Sequence, residues 1–469
     1  MRRPTSIFLI LPSVCAVALT GCNLAPKYFG PKNDLPTEFK ADGPWRTAQP
    51  SDHESRGRWW AAFGDSRLSS LMSQAEEGSP TLESALHRVE EAQALARADS
   101  AGFFPFLNFR SSAQRNRGTG TLQFQFAGGR TRTVLDTSLD LQYELDLWGR
   151  VRNQSRAGKA RSEAAEADYR SVLLSLQSEL AMNYFALQAQ DELIDLLRRN
   201  VETRKKTASL ARVRFEQGDV AQVDVAQAET ELAATESEAI GLERRRMELE
   251  HAIALLLGKT PSAFSLPHLS LRSSPPSIPK SVPSDLLERR PDIAGAERSM
   301  ASLNAEVGVA KAALFPSISV GATGGRQSSF ISQLGRASSR VWGLGPAAVD
   351  WPLPQGGGAR SRAAAARARY DGAASDYRQT VLNAMREVED ALAGLAILKR
   401  QLAAQEATVK SANEALALSQ KRYDSGLVAY YEVLDGQRTQ LRAEQEETRL
   451  KGELWITTVM LIKALGGGW

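Results

Sequence analysis

The sequence predicts an α+β protein made of two tandem copies of one unit, each with two β-strands followed by a long helical hairpin. Residues of the two halves correspond at nearly constant offsets: Pro80 and Pro291 are 211 positions apart, and Gly218 and Gly426 are 208 apart. Each half contains two long segments almost without helix breakers, and the first half contains a stretch of alternating apolar and polar residues. An internal repeat of this kind accounts for a length of 469 residues better than one large core does.

The first residues indicate export. Two arginines precede an apolar run over 7–18 that is too short to span a bilayer, and small residues precede Cys22. This pattern predicts a lipoprotein signal peptide at 1–21. Cys22 then becomes the first residue of the mature chain, and its diacylglycerol and acyl chain (palmitate) are the only non-protein groups that we expect. Asn23 after the cysteine favours sorting to the outer membrane. The alternative is a soluble protein with an incidental cysteine near an ordinary signal.

Composition argues against several function classes. The net charge is +4 and 24% of residues are charged, which does not predict a nucleic-acid partner. The two cysteines leave no disulfide in the mature chain, because Cys15 departs with the signal and Cys22 takes the lipid. No phosphate loop or nucleophile motif is present, and the four histidines lack the spacing of metal ligands. We therefore expect neither an enzyme nor a metal site.

Two irregular segments divide the mature chain. Residues 22–58 are rich in Pro, Gly, Asp and Lys without periodicity, which predicts a lipidated N-terminal tether that wraps or hangs loosely. A second such stretch at 259–283 predicts a linker. The linker separates a first repeat at 59–258 from a second repeat at 284–469.

The predicted strands lie at about 104–148 and about 315–353. Phe104 and Phe315, each followed by proline, precede them, and we interpret both dipeptides as structural. From Ser138 to Trp148 every second residue is apolar. A soluble sheet over a core gives the same alternation. A length near ten residues, an aromatic residue at the end and the export signal instead favour a transmembrane strand.

Four strands per chain cannot close a barrel by themselves. Open strand edges in hydrocarbon leave backbone groups without partners, and the smallest membrane barrels have about eight strands. The strands therefore predict self-association. A trimer gives twelve strands and a lumen, whereas a dimer gives eight strands and a filled interior.

The long segments without helix breakers predict helical hairpins at 151–257 and 359–465. The chain reverses at Gly218 and Gly426, since glycine adopts left-handed backbone at little cost. Apolar residues recur every three or four positions, as in a coiled coil, for example at Val172, Leu176, Leu180, Tyr184 and Leu187.

Several motifs together carry a family resemblance. They are "LTGC" at 19–22, "WWAAFGDSRLSSLM" at 59–72, "YELDLWGRVR" at 143–152, "LLERRPDIAGAE" at 286–297, "AALFPSI" at 312–318, "RYDSGLVAYYEVLDGQ" at 422–437 and "ALGGGW" at 464–469. With the duplicated units, they make the chain resemble the bacterial outer-membrane efflux proteins of the TolC type, and most closely the NodT and OprM-like efflux lipoprotein branch. The resemblance covers essentially the whole mature chain.

The resemblance implies a homotrimer whose twelve-stranded transmembrane β-barrel continues as a long periplasmic α-helical barrel. It implies a passive exit duct for drugs or other small molecules. A periplasmic adaptor and an inner-membrane pump, of the resistance-nodulation-division type, are the implied partners. Alternatives are a periplasmic coiled-coil scaffold or adaptor lipoprotein, or the outer-membrane channel of a type I protein secretion system. No residue identifies the transported substrate.

Family resemblance also implies a gate at the second hairpin. In the family, acidic side chains surround the narrow periplasmic opening, and the matching residues are Glu432 and Asp435, which the helical repeat places on one face. Three copies make two rings of carboxylates that attract cations. Tyr431 matches a gate residue that narrows the pore. Without the resemblance, the carboxylates fit a solvated helix face.

Further residues match contacts and surfaces at the hairpin ends. Tyr423 and Asp224 correspond to residues that hold the helices together in the closed state of some members. The basic partner expected after Tyr423 falls at Val428, which cannot form an ion pair, so we interpret Arg422 as a substitute. The tips at Gly218 and Gly426 are the implied docking surface for the adaptor.

Overall fold

The computed structural model describes residues 23–28, 57–117, 131–271, 274–276, 290–351, 353 and 356–467. The predicted signal peptide and Cys22 lie outside the described residues, as does most of the predicted tether. None of the helices within these ranges is both long enough and apolar enough to cross a membrane.

Seven α-helices and four β-strands form the described structure, with short 3-10 turns between some of them. The helices are α1 (Ser66–Gly78), α2 (Pro80–Ser100), α3 (Arg150–Glu216), α4 (Gln222–Leu256), α5 (Pro291–Ala312), α6 (Gly358–Asp424) and α7 (Tyr430–Ala464). The strands are β1 (Phe106–Arg117), β2 (Thr131–Leu145), β3 (Ser317–Ser328) and β4 (Arg340–Asp350). The hairpin helices of the two repeats are equal in length, because α3 and α6 each have 67 residues and α4 and α7 each have 35.

Two compact units divide the chain. The sheet unit comprises 1–32, 88–165 and 295–377, and the hairpin unit comprises 33–87, 166–294 and 378–469. The sheet unit contains all four strands, and the hairpin unit contains the helical ends at which both hairpins turn.

The strands form one antiparallel sheet in the order β1-β2-β3-β4. In the middle of the sheet the register aligns alternating residues of the four strands, so one face is apolar there and the other is mostly polar. The register between β3 and β4 shifts between Val320 and Ala322. Two rows of neighbouring residues cross the apolar face from β1 to β4. The first row is Phe109, Leu139, Gly324 and Trp342. The second row is Leu107, Leu141, Ala322 and Leu344. This face is uncovered in the chain, since Trp342 is 80% and Leu344 85% exposed.

Polar side chains line the opposite face of the sheet. Asp140 lies at its centre and accepts hydrogen bonds from Thr323 (2.8 Å) and Ser138 (3.3 Å). Arg110 lies 3.9 Å from the same carboxylate. The two edge strands β1 and β4 each pair on one side only among the described residues.

Residues 23–28 pack against helices of the sheet unit. Asn23 Oδ1 accepts a hydrogen bond from Asn153 (3.0 Å), and the Pro26 carbonyl accepts one from Asn304 (3.0 Å). Tyr28 donates to the Glu297 carboxylate. These residues of the predicted tether, which was expected to wrap or hang loosely, are therefore held against the helices through their backbone and side chains.

The hairpin unit is built on the predicted apolar stripe of α3. Leu176, Leu180, Tyr184 and Leu187 are all buried in its core. An aromatic group joins distant parts of this unit, because the Phe185 ring lies 5.0 Å from Phe63 and 4.6 Å from Trp455. The core thus unites the chain before α1 with α3 of the first repeat and α7 of the second.

Helix boundaries near the tips differ from the predicted ones. The second helices of the hairpins begin at Gln222 and Tyr430 rather than directly after each glycine. The physical reason is that the preceding residues Ala221 and Ala429 have extended backbone, with ψ of 154° and 155°, so each reversal takes five residues. All four strands lie within the predicted ranges 104–148 and 315–353.

Candidate functional site at the hairpin tips

Both hairpins reverse through the same backbone geometry. Gly218 has φ of 79° and Gly426 has φ of 73°, the left-handed conformation that suits glycine. In each tip an amide after the glycine closes a long turn: Asp219 N donates to the Arg214 carbonyl (2.8 Å), and Leu427 N donates to that of Arg422 (2.9 Å). The space around each glycine Cα is open, so both tips present backbone to the surroundings.

Glu432 lies in the first turn of α7, where a carboxylate is favoured by the helix dipole. Its Oε1 accepts a hydrogen bond from Arg422 Nη1 at 2.8 Å and lies 3.4 Å from Ser419 Oγ. Arg422 therefore ties the end of α6 to the start of α7. The Arg422 guanidinium pairs with Glu432, one of the two predicted gate carboxylates, and its role as a substitute partner in the closed state stays a prediction.

Asp435 is exposed one helical turn beyond Glu432 on the same side of α7. No hydrogen bond or ion pair joins it to another described side chain, so its charge lacks the direct compensation that Glu432 has. Tyr431 precedes Glu432 and is 59% exposed, which leaves its ring free to contact other molecules. The two carboxylates predicted to act alike thus have different surroundings.

Tyr423 and Asp224 form separate contacts. The Tyr423 ring lies 5.5 Å from the ring of Tyr430, and the Arg214 guanidinium lies 5.9 Å from its centre. Asp224 accepts a hydrogen bond from Ala221 N (3.2 Å) and so holds the start of α4. No hydrogen bond joins Tyr423 to Asp224 in the described part of this chain. Burial raises the pKa of Tyr430 to about 12, so its phenol stays neutral at physiological pH.

A buried charge cluster near the tips was missed by the sequence reasoning. Glu231 of α4 accepts hydrogen bonds from Arg204 of α3, through Oε2, and from Arg438 of α7, through Oε1 (2.7 Å). The Arg204 side chain is 6% exposed. The available signal was a glutamate on the buried face of α4, between Ala228 and Thr235 at helical spacing.

Glu231 makes the stability of the hairpin unit depend on pH. The hydrogen bond from Arg438, and then that from Arg204, hold the pKa of Glu231 below its ordinary value, although burial opposes them. The cluster therefore stabilises the fold fully above the unfolded carboxyl pKa of about 4.3 and loses this effect as pH falls through the lowered value.

We expect the difference in melting temperature between the wild type and Glu231→Gln to be largest near neutral pH and to shrink below about pH 4. Thermal unfolding followed by circular dichroism across this range measures it. A difference that grows on acidification would contradict the assignment.

The family model described as "Outer membrane efflux protein" matches residues 71–259 and 282–467 of the chain. The chain belongs to this family. The outer membrane efflux protein model thus matches once in each predicted repeat. The family, the outer-membrane location and the role as an efflux channel, all predicted from the sequence, are confirmed.

Individual relatives cover nearly the whole chain. It is 31% identical over 479 residues to the outer membrane protein OprJ of Pseudomonas aeruginosa, covering 100% of this chain and 97% of OprJ. It is 30% identical over 464 residues to the cation efflux system protein CusC of Escherichia coli, covering 98% of both chains. Among solved structures, the outer-membrane channel OprN matches with a TM-score of 0.87 and 31% identity, over 96% of this chain and 100% of that one. The predicted fold class is confirmed by these matches together with the four-stranded sheet and the helical hairpins.

Within the described ranges, no group of three or more His, Cys, Asp or Glu side chains is arranged to hold a metal ion. One exposed carboxylate, one compensated carboxylate and one exposed tyrosine lie within five residues at the start of α7.

Proposed function

We propose that this outer membrane efflux protein is the exit duct of a tripartite export system and passes small molecules without catalysing a reaction. The single observation that supports it most is the sheet, which has an exposed apolar face, a polar face and two edge strands with one neighbour each. Such a sheet is stable in lipid only when other copies complete a barrel. Three copies supply twelve strands, with the polar face lining the lumen.

The apolar face makes a direct prediction about assembly. Leu344→Arg places a charge where lipid is expected, at a cost of about 2–4 kcal/mol per chain near the bilayer centre. We expect this variant to lose most of its trimers in the outer membrane, measured on unheated gels of membrane fractions. Gln142→Arg is the matched control, because Gln142 lies on the polar face of the same sheet. Equal loss in both variants would argue against a lipid-facing apolar surface.

The hairpin tips are proposed to meet a periplasmic adaptor, and through it an inner-membrane pump. Support comes from the open space around Gly218 and Gly426, which allows the tips of another helical hairpin to approach the backbone closely. The pump, of the resistance-nodulation-division type, supplies the energy and selects the cargo. Relatives are named for the efflux of cations, solvents and toluene and for the export of pyoverdine, so the shared fold accompanies several kinds of cargo.

Lipidation at Cys22 is proposed as an additional anchor. Two or three acyl chains bind a membrane firmly where one is marginal. If the strands span the membrane, Cys22→Ala keeps the protein in the outer membrane fraction. A soluble monomer would instead favour the alternative of a periplasmic scaffold attached by lipid alone.

Planar bilayer recording of the purified wild type tests the duct directly. We expect a small cation-selective current, because three copies of Asp435 surround the opening at the second hairpin. Asp435→Asn is expected to reduce the cation preference more than Glu432→Gln does, since Arg422 already compensates Glu432. The double variant should lose the preference altogether. Unchanged selectivity would move the gate elsewhere, and no current from folded trimers would favour the scaffold.

A further inference from the structure

Glu231 is held by two arginines that come from different helices. Arg204 binds its Oε2 from α3 and also donates to its backbone carbonyl at 3.2 Å. Arg438 binds its Oε1 through both Nε and Nη2 from α7. Each carboxylate oxygen therefore has its own cationic partner, and the bidentate contact fixes the Arg438 side chain toward α4.

Arg438 also lies beside the exposed gate carboxylate. It follows Asp435 by three residues on α7, and side chains at this spacing are neighbours on a helix surface. The Arg438 side chain is 39% exposed, so it is accessible from the surroundings that Asp435 faces. An Asp and an Arg three apart ordinarily pair, yet here the guanidinium binds Glu231 instead.

The charges near the second tip therefore separate into three groups. Glu432 is compensated by Arg422. Glu231 takes up Arg438 together with Arg204. Of the three carboxylates Glu231, Glu432 and Asp435, only Asp435 has no ion-pair partner among the described residues. Asp435 lacks one because the neighbouring Arg438 guanidinium is bound to Glu231.

We propose that Glu231 is a specificity-determining residue of the duct, because it takes the Arg438 guanidinium into a direct ion pair that Asp435 does not form, and so keeps the Asp435 carboxylate available to passing cations. The proposal rests on the proposed function as an acidic-gated duct. Glu231 acts through Arg438, so it is a positioning residue rather than one that contacts the transported molecule.

The test compares ion selectivity in planar bilayers by reversal potential under a salt gradient. Glu231→Gln keeps the size and hydrogen-bonding shape of the side chain but removes the charge that holds Arg438. We expect its cation preference to fall to the level of Asp435→Asn. Adding Arg438→Gln to Glu231→Gln is expected to restore the preference, because the guanidinium that neighbours Asp435 on α7 is then removed. A purely structural role for Glu231 predicts no such rescue.

Glu238→Gln is the matched control. Glu238 lies one heptad further along α4 and accepts a hydrogen bond from the neutral Gln445 (2.8 Å). The substitution removes one negative charge from the same helix without freeing an arginine. Unchanged selectivity in this variant, beside a loss in Glu231→Gln, attributes the loss to Arg438. Equal loss in both would overturn the proposal in favour of a general charge effect.

Arg438→Met keeps the proposal testable if Glu231→Gln fails to assemble. Arg204 still compensates Glu231 in this variant, so we expect folded trimers with the wild-type cation preference. A marked rise in cation preference above that of the wild type would show that Arg438 already compensates the charge of Asp435, which overturns the proposal. Asp435→Asn separates this failure from that of the proposed function. If the variant conducts with the selectivity of the wild type, Asp435 does not form the gate and this proposal fails while the duct stands. If folded trimers of the wild type carry no current, the proposed function fails as well.

Discussion

Replacing Asp191 by alanine is expected to lower the free energy of unfolding by about 3–5 kcal/mol, the loss typical of breaking a buried ion pair from one side. Asp191 is 0% exposed and accepts hydrogen bonds from Arg246 Nε (2.6 Å) and Leu269 N (2.9 Å). His268 Nδ1 lies 3.3 Å from the same carboxylate. The variant leaves the largely buried Arg246 without this partner and removes the acceptor of the Leu269 amide in the segment that follows α4.

Asp195→Ala is the matched control for this prediction. Asp195 lies one helical turn further along α3 and contacts His268 at 2.8 Å, but it is partly exposed. Exposed ion pairs contribute about 0.2–1 kcal/mol to the free energy of unfolding, so the control variant should have nearly the same free energy of unfolding as the wild type. Denaturant unfolding in detergent, followed by circular dichroism, measures both variants. Similar losses would contradict the central role of the buried carboxylate.

Replacing Trp455 by alanine is expected to cost about 3–5 kcal/mol of unfolding free energy, the range for a large aromatic residue removed from a core. Its ring lies 4.6 Å from that of Phe185 and 5.8 Å from that of Phe63, and 2% of the residue is exposed. The substitution would leave a cavity where the indole packs, and α7 would lose its aromatic contacts with α3 and with the turn before α1. Thermal and denaturant unfolding of purified protein measure the loss.

Trp455→Phe distinguishes packing from hydrogen bonding at this position. The indole Nε1 is buried without a hydrogen-bond partner in the described structure, so a phenyl ring loses no polar contact. We expect this variant to lose clearly less stability than the alanine variant, because most of the aromatic contact area remains. An equal loss in the two variants would mean that the cluster tolerates no change of ring shape.

The repeat and its elements could be predicted because they depend on local patterns. Gly218 and Gly426 end long helices and adopt positive φ, which depends only on the lack of a side chain at these positions. The alternation of apolar and polar residues over 138–148 is likewise visible without knowledge of the neighbouring strands. Helix starts were less accurate, since Ala221 and Ala429 carry no capping side chain that would mark the first turn. The extended backbone at these two alanines sets where α4 and α7 begin, and at α4 the Asp224 side chain adds a hydrogen bond to Ala221 N.

The candidate site was predicted in position but only partly in chemistry. Glu432, Asp435 and Tyr431 were located by resemblance, and their roles stay predictions. Which carboxylate has a counter-charge depends on Arg422 reaching across the turn, a contact between residues ten apart. Spacing along one helix does not reveal such a contact, because it requires two helices to be packed in register.

By itself the sequence determined the tandem repeat, the helical hairpins and the strands, because helix breakers, periodicity and matching positions are properties of short segments. The tertiary structure alone decided which charges meet. Arg204, Glu231 and Arg438 come from three helices, with Glu231 and Arg438 207 positions apart, and a buried carboxylate is stable only where packing brings cationic partners to it. The pairing that leaves Asp435 uncompensated is therefore a property of the folded chain.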